Sequence, residues 1–282
     1  MENNKKRSQH RLIPLLCLLL GFSSLAGASH GNAASAPAKT NTATTAAAST
    51  PVIPWQVKAE YPHRGAAFTQ GFELVDGLIY ESSGLYRSSY ISAWPLEKGD
   101  ALFMQMLPGA LFGEGMTVLK DKIYVLTWKE RIGLIYDKSS REKIGEFSYS
   151  GEGWGLTNDG RQLIMSDGTD KLRFLDPADG HVLKTVSVTE NGQPVLRLNE
   201  LERVGNRVLA NVWQTDSIVV INPETGVVTA RLDLDKLYPK ASRKPAADVL
   251  NGIAFDPADK TLLVTGKFWP TVYRLRLDRP LP

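Results

Sequence analysis

Cysteine is almost missing from this chain. Its 282 residues include one, Cys17, close to the start. Beyond that position there is no thiol for a disulfide, a thiolate nucleophile or a Cys-ligated zinc. Histidine is scarce too. Of four, only His63 and His181 lie in the region that reads as folded, and they lack metal-ligand spacing. Neither a G-x-S-x-G elbow nor a phosphate-binding glycine loop occurs. Nor is there an apolar run of membrane-spanning length. The longest, over residues 12–20 and on towards Leu25, is too short.

That run follows Lys5, Lys6, Arg7 and Arg11 and precedes Ala26-Gly27-Ala28. A basic start, a short apolar stretch and small residues form the layout of a secretory signal peptide, expected over residues 1–28. An uncleaved membrane anchor is the alternative. Cys17 follows Pro14-Leu15-Leu16 with no small residue beside it, so a lipoprotein cleavage site is not indicated. The net charge of +3 belongs to this segment. Without its four basic residues and Glu2, 29 basic side chains face 29 acidic ones. Such a balance gives no electrostatic footprint for nucleic acid. Residues 29–52 are mainly Ala, Ser, Thr, Asn and Gly, and read as a disordered linker. The expected folded domain is 53–282, in an exported, periplasmic or secreted protein without stable membrane insertion once the leader is removed.

What the chain has in quantity is repetition. One short pattern begins five times, at Gln70-Gly71-Phe72, Glu114-Gly115-Met116, Trp154-Gly155-Leu156, Asn199-Glu200-Leu201 and Asn251-Gly252-Ile253. The copies are 44, 40, 45 and 52 positions apart. A period near forty with several short strands per copy is the mark of a β-propeller. Within copies, strand-like runs are broken by hairpin signals: Asn158-Asp159-Gly160, Gly205-Asn206, Asp176-Pro177 to Gly180, and Asn222-Pro223 to Gly226. The fifth copy has only three strands and ends on residues 272–277. Residues 55–61 are strand-like and otherwise homeless. Pairing the two segments would close the ring and remove an open edge. The expectation is an all-β, five-bladed propeller closed by its N- and C-terminal strands. Residues 236–250 read as a long insertion, and a pair of β-sandwiches is the competing architecture.

A propeller carries equivalent positions to one axis. A second register, fourteen after the first, holds Gly84, Trp128, Gly168 and Trp213, and Lys267 matches it two places later. One mouth would therefore gather Gln70, Glu114, Trp154, Asn199, Asn251, Trp128, Trp213 and Lys267. A carboxylate among tryptophans is partly desolvated, which raises its pKa and suits it to proton transfer. Amides orient polar atoms, and a lysine can hold developing negative charge. Each residue also has a plainer reading. A strand tryptophan alone is more often core, and Asn199 and Asn251 can simply cap turns. Phe68 and Phe72 read as core, with Phe68 near enough to the mouth to join the candidates. Glu81, Asp167 and Asp216 are a weak alternative metal set.

At these residues the chain resembles the glutaminyl-peptide cyclotransferases of the plant and bacterial type. Seven stretches carry the resemblance, in order along the folded region: Phe68-Thr-Gln-Gly-Phe72, Gly113-Glu-Gly-Met-Thr117, Gly153-Trp-Gly-Leu-Thr157, Leu198-Asn-Glu-Leu-Glu202, Asn211-Val-Trp-Gln214, Leu250-Asn-Gly-Ile-Ala254 and Thr265-Gly-Lys-Phe-Trp269. The resemblance implies a five-bladed propeller that closes an N-terminal glutamine into pyroglutamate with loss of ammonia. It implies Glu114 as catalytic acid/base, and Phe68, Gln70, Trp128, Trp154, Asn199, Trp213, Asn251 and Lys267 as substrate-binding residues. No cofactor and no metal are expected. The implied partners are peptides or proteins beginning with Gln, and the implied state is a monomer. The competing classes are a non-catalytic propeller that binds peptides or proteins at its mouth, and a metal-dependent hydrolase on the same scaffold.

Overall fold

The computed structural model describes residues 49–63 and 67–282. The signal peptide expected over 1–28 and residues 29–48 of the expected linker lie outside the described residues. Among the described residues no helix is long and apolar enough to cross a membrane.

The first strand, β1 (Trp55–Pro62), belongs to the last blade. Blade one follows as β2 (Thr69–Val75), β3 (Leu78–Ser83), β4 (Tyr90–Pro95) and β5 (Phe103–Met106). Blade two is β6 (Gly113–Leu119), β7 (Lys122–Thr127), β8 (Ile132–Asp137) and β9 (Lys143–Ser148). Blade three is β10 (Leu156–Asn158), β11 (Leu163–Met165), β12 (Lys171–Leu175) and β13 (Val182–Ser187). A small hairpin, β14 (Thr189–Glu190) and β15 (Gln193–Pro194), precedes blade four: β16 (Leu198–Val204), β17 (Arg207–Val212), β18 (Ser217–Ile221) and β19 (Val228–Asp233). Blade five is β20 (Leu250–Asp256), β21 (Thr261–Gly266), β22 (Thr271–Leu277) and, outermost, β1. The five blades and the closing β1–β22 pair, with Trp55 opposite Leu277 and Tyr61 opposite Val272, are as the repeat predicts. The small hairpin was not anticipated, although Asn191-Gly192 at its tip, both at positive φ, is a hairpin signal.

Strand alternation explains the core. Successive side chains point to opposite faces, and a middle strand of a blade has a neighbouring blade on each face. In β7, Ile123 and Val125 pack towards blade one, whereas Tyr124 and Leu126 pack towards blade three. In β18, Ile218 and Val220 face blade five while Val219 and Ile221 face blade three. Continuous apolar runs are therefore needed where a one-sided sheet would alternate. Five apolar clusters result, one per blade junction.

The innermost strands pose a separate problem, because their channel-facing N–H groups have no further strand to bond. Glutamates answer it. Glu73 accepts from the Val118 amide at 2.7 Å and Thr117 Oγ1 at 3.1 Å. Glu200 accepts from Phe72 at 3.2 Å and Ile253 at 2.9 Å, and Glu202 from Phe255 at 2.7 Å. Burial drives the Glu73 carboxyl up to about 7. It also drives Glu200 and Glu202 well above the ordinary range, with Glu202 adding to the shift of Glu200 and Glu73 to that of Glu202.

These folded-state values exceed the unfolded ones. The stability they contribute is complete in acid and is lost as pH rises through the folded values. The melting temperature should fall by roughly 3–8 °C between pH 5 and pH 8. Calorimetry of Glu202→Gln should show a shallower slope, because one of three interacting carboxyls is gone. An unchanged slope would contradict this account of the channel.

Candidate active site

The first residue of each copy sits on an irregularity. Register shifts occur between Thr69 and Gly71, Gly113 and Met116, Leu198 and Leu201, and Leu250 and Ile253. A bulge adds a residue to one strand and re-aims its side chain, here at Gln70, Glu114, Asn199 and Asn251. In blade three the strand begins only at Leu156, and Trp154 lies just ahead of it, its amide bonded to Ser166 O at 3.1 Å.

Every junction between blades is pinned at this level. Ser82 Oγ donates to Glu114 O at 2.6 Å, Gly115 N to Trp154 O at 2.6 Å, and Ser166 Oγ to Asn199 O at 2.7 Å. The circle closes with Gly252 N donating to Asn211 Oδ1 at 3.0 Å and Asn251 Nδ2 to Thr69 O at 2.8 Å. The glycine after the first residue permits the approach. A Cβ on Gly155 would lie 1.9 Å from Asn199 O.

Above this ring is a cavity of about 270 Å³. Eight of the nine expected residues line it: Glu114, Gln70, Asn199, Lys267, Phe68 and the three tryptophans Trp128, Trp154 and Trp213. Asn251 does not. It is fully buried beneath Gln70, and its amide, besides holding Thr69 O, reaches Gln70 Oε1 at 3.4 Å. Two lining residues were not foreseen. Phe112 contacts Trp128, ring centroids 5.5 Å apart. Asp248 arrives on the 236–250 insertion, whose other side chains anchor it: Tyr238 lies edge-on to Trp269, and Arg243 Nη2 bonds Asp216 Oδ1 at 2.6 Å.

Glu152 was also missed. Its Oε2 accepts the indole N–H of Trp128 at 2.7 Å and of Trp154 at 3.0 Å. Its position, though not its chemistry, follows the repeat. Two positions before the first residue of each copy stand Phe68, Phe112, Glu152, Arg197 and Val249, a third register leading to the same mouth.

Glu114 is buried, and its carboxylate receives no hydrogen bond from the described residues. Desolvation pushes its pKa well up. The Lys267 charge pulls it back, and Glu152 and Glu130 add to the rise. Burial lowers the pKa of Lys267, against the opposing charges of Glu114 and Asp248. Its Nζ stands 4.4 Å from the centre of the Phe68 ring. Burial thus shifts the carboxyl and the ammonium of this cavity in opposite directions, a pattern that clusters at functional sites.

Among the described residues no group of three or more His, Cys, Asp or Glu side chains is placed to hold a metal ion. The alternative set is occupied elsewhere: Glu81 with His63 and Thr69, Asp167 with Arg173, Asp216 with Arg243.

Comparison with known proteins agrees with this geometry. Residues 29–277 match the family model for glutamine cyclotransferase. The chain is 38% identical over 228 residues to a glutaminyl-peptide cyclotransferase of Arabidopsis thaliana, covering 79% of this chain and 71% of that protein. It superposes on the crystal structure of Myxococcus xanthus glutaminyl cyclase with a TM-score of 0.74 at 34% identity, covering 81% of this chain and 98% of the other.

Gly168 tests the packing of the wall. It has φ +78°, and a Cβ there would meet Trp154 Cζ2 at 2.7 Å. Gly168→Ala should displace the Trp154 ring, changing the near-UV circular dichroism, and cost roughly 1–3 kcal/mol from the left-handed backbone. Parental near-UV spectrum and stability would show that the wall does not depend on this glycine.

Proposed function

The chain belongs to the glutamine cyclotransferase family, and from that premise we propose that it converts N-terminal glutamine of peptides and proteins into pyroglutamate. Glu114 acts as the acid/base, without a metal ion. The reaction is an acyl transfer to the substrate's own amine. The α-amine nitrogen attacks the γ-carboxamide carbon, the new C–N bond closes a five-membered ring, and the old C–N bond breaks to release ammonia. One proton leaves the attacking nitrogen and one joins the departing nitrogen.

The observation that carries this reading is the carboxylate of Glu114, without a hydrogen-bond partner among the described residues and desolvated inside a slot of about 270 Å³. The slot is smaller than the about 300–1,000 Å³ of drug-sized sites, so it suits a single terminal residue. The reacting groups are already tethered, and the walls need only select the bent conformer. Trp128, Trp154 and Trp213 with Phe68 supply those walls. Gln70 and Asn199 orient the amine and amide, and Asn251 holds Gln70 in place. Lys267 polarises the γ-carbonyl and meets the negative charge that develops on its oxygen. Glu114 takes the proton from the amine and returns it to the leaving nitrogen.

The raised pKa of Glu114 sets the acid limb of turnover, because its carboxylate form must accept the proton. The lowered pKa of Lys267 sets the alkaline limb, because its charge is lost as pH rises. We further propose that the protein is exported, on the leader-like composition of residues 1–28, and acts as a monomer.

Mass spectrometry of a Gln-initiated peptide tests the reading. Incubation with the protein should yield a product lighter by one ammonia, and excess chelator should leave the rate unchanged. Glu114→Gln should lower kcat by about 10²–10⁴-fold, the range for a general acid/base, with the fold retained. Binding without product would favour a peptide-binding propeller, and loss of activity with chelator a metal-dependent one.

A further inference from the structure

The aromatic lining of the mouth is a chain of ring contacts with one gap. Phe268 meets Phe68 at 5.2 Å, Phe68 meets Phe112 at 6.0 Å, and Phe112 meets Trp128 at 5.5 Å. On the other side Trp154 meets Trp213 edge-on at 5.5 Å. Among the described residues no ring contact joins Trp128 to Trp154. Glu152 stands at that place, and a single oxygen, Oε2, accepts both indole N–H groups.

Trp128 belongs to blade two and Trp154 to blade three, so this carboxylate ties the walls of two blades together. We propose that Glu152 is a positioning residue of this site, locking the two tryptophans so that they present their faces to the slot and keep their only polar groups out of it. The chemistry favours this. Indole is a donor with no acceptor. An indole N–H left free in a desolvated slot would compete for the carbonyl oxygen that a substrate must present to Lys267. Hydrogen bonds to a charged acceptor are the strong ones, and one acceptor shared by two donors couples the orientations of both rings.

Glu152 also contributes charge. The groups acting on Glu114 are Lys267, which favours its ionised form, and Glu152 and Glu130, which oppose it. Asp248 acts on Lys267. Tyr149 and Tyr86 stand in the field of Glu114 and Glu130. Neutralising Glu152 therefore lets Glu114 ionise at lower pH.

The kinetic arm of the test rests on the proposed cyclisation, and the spectroscopic arm does not. Glu152→Ala removes lock and charge together. Glu152→Gln keeps a carbonyl oxygen at the same reach and removes only charge. With the tryptophans labelled with nitrogen-15 and their indole signals assigned by Trp128→Phe and Trp154→Phe, Glu152→Ala should move both signals. It should raise KM by about 10–100-fold, the factor for losing hydrogen bonds to a charged acceptor, with a smaller change in kcat. Glu152→Gln should leave both signals and KM near the parental values and shift the acid limb of kcat to lower pH. Unmoved indole signals or an unchanged KM in Glu152→Ala would overturn the proposal. So would a Gln variant as impaired in KM as the Ala variant. If the parent protein forms no pyroglutamate, the cyclase reading fails while the indole signals still decide the lock.

Discussion

Everything at the mouth depends on how closely the five innermost strands approach each other. Each junction carries a backbone-anchored hydrogen bond at the first or second residue of a repeat copy. Three are made through side chains held in position by the rest of a blade: Ser82, Ser166 and Asn211. Asn251 closes the circle to Thr69. A direct amide-to-carbonyl bond joins Gly115 to Trp154. The approach is tight enough that only glycine fits after Gln70, Glu114 and Trp154. In blade four Glu200 takes the glycine's place and turns its carboxylate to the strands of blades one and five. Fixing the backbone to a neighbour on each side leaves the side chains few ways to miss each other. A site assembled from five separate segments thereby gains the precision that catalysis requires.

The repeat made much of this legible. A period near forty with a fixed first residue implies convergence on an axis, because a closed ring of similar units has nowhere else to bring equivalent positions. The homeless strand at residues 55–61 and the missing strand of the fifth copy implied each other for the same reason. What the sequence concealed has physical causes. Asn251 occupies the right register, but its Nδ2 donates to Thr69 O in closing the ring, and nothing in the register distinguishes an amide that faces a cavity from one that faces a carbonyl. Asp248 lies outside every register, on an insertion whose path is set by Tyr238 against Trp269 and Arg243 against Asp216. Glu152 lies in a register that mixes two phenylalanines, an acid, a base and a valine. No shared chemistry marks that position, and only the distances to two indoles reveal its role.

The buried glutamates separate themselves by what they bond. Glu73, Glu200 and Glu202 are desolvated, and each accepts a backbone amide of a neighbouring blade. Glu81 bonds His63 and Thr69. In all four the carboxylate meets a structural need, and its absence would leave donors unpaired. Glu114 is as deeply desolvated, yet its carboxylate meets none. Its own backbone carbonyl is pinned by Ser82, while its carboxylate takes no hydrogen bond from the described residues. A buried carboxylate without donors opposes folding, and the nearby positive charge of Lys267 offsets only part of that. A carboxylate left bare on a cavity can still take a donor from a ligand, and under the proposed cyclisation the α-amine, presented beside its own γ-carboxamide, would supply that donor where a proton has to move.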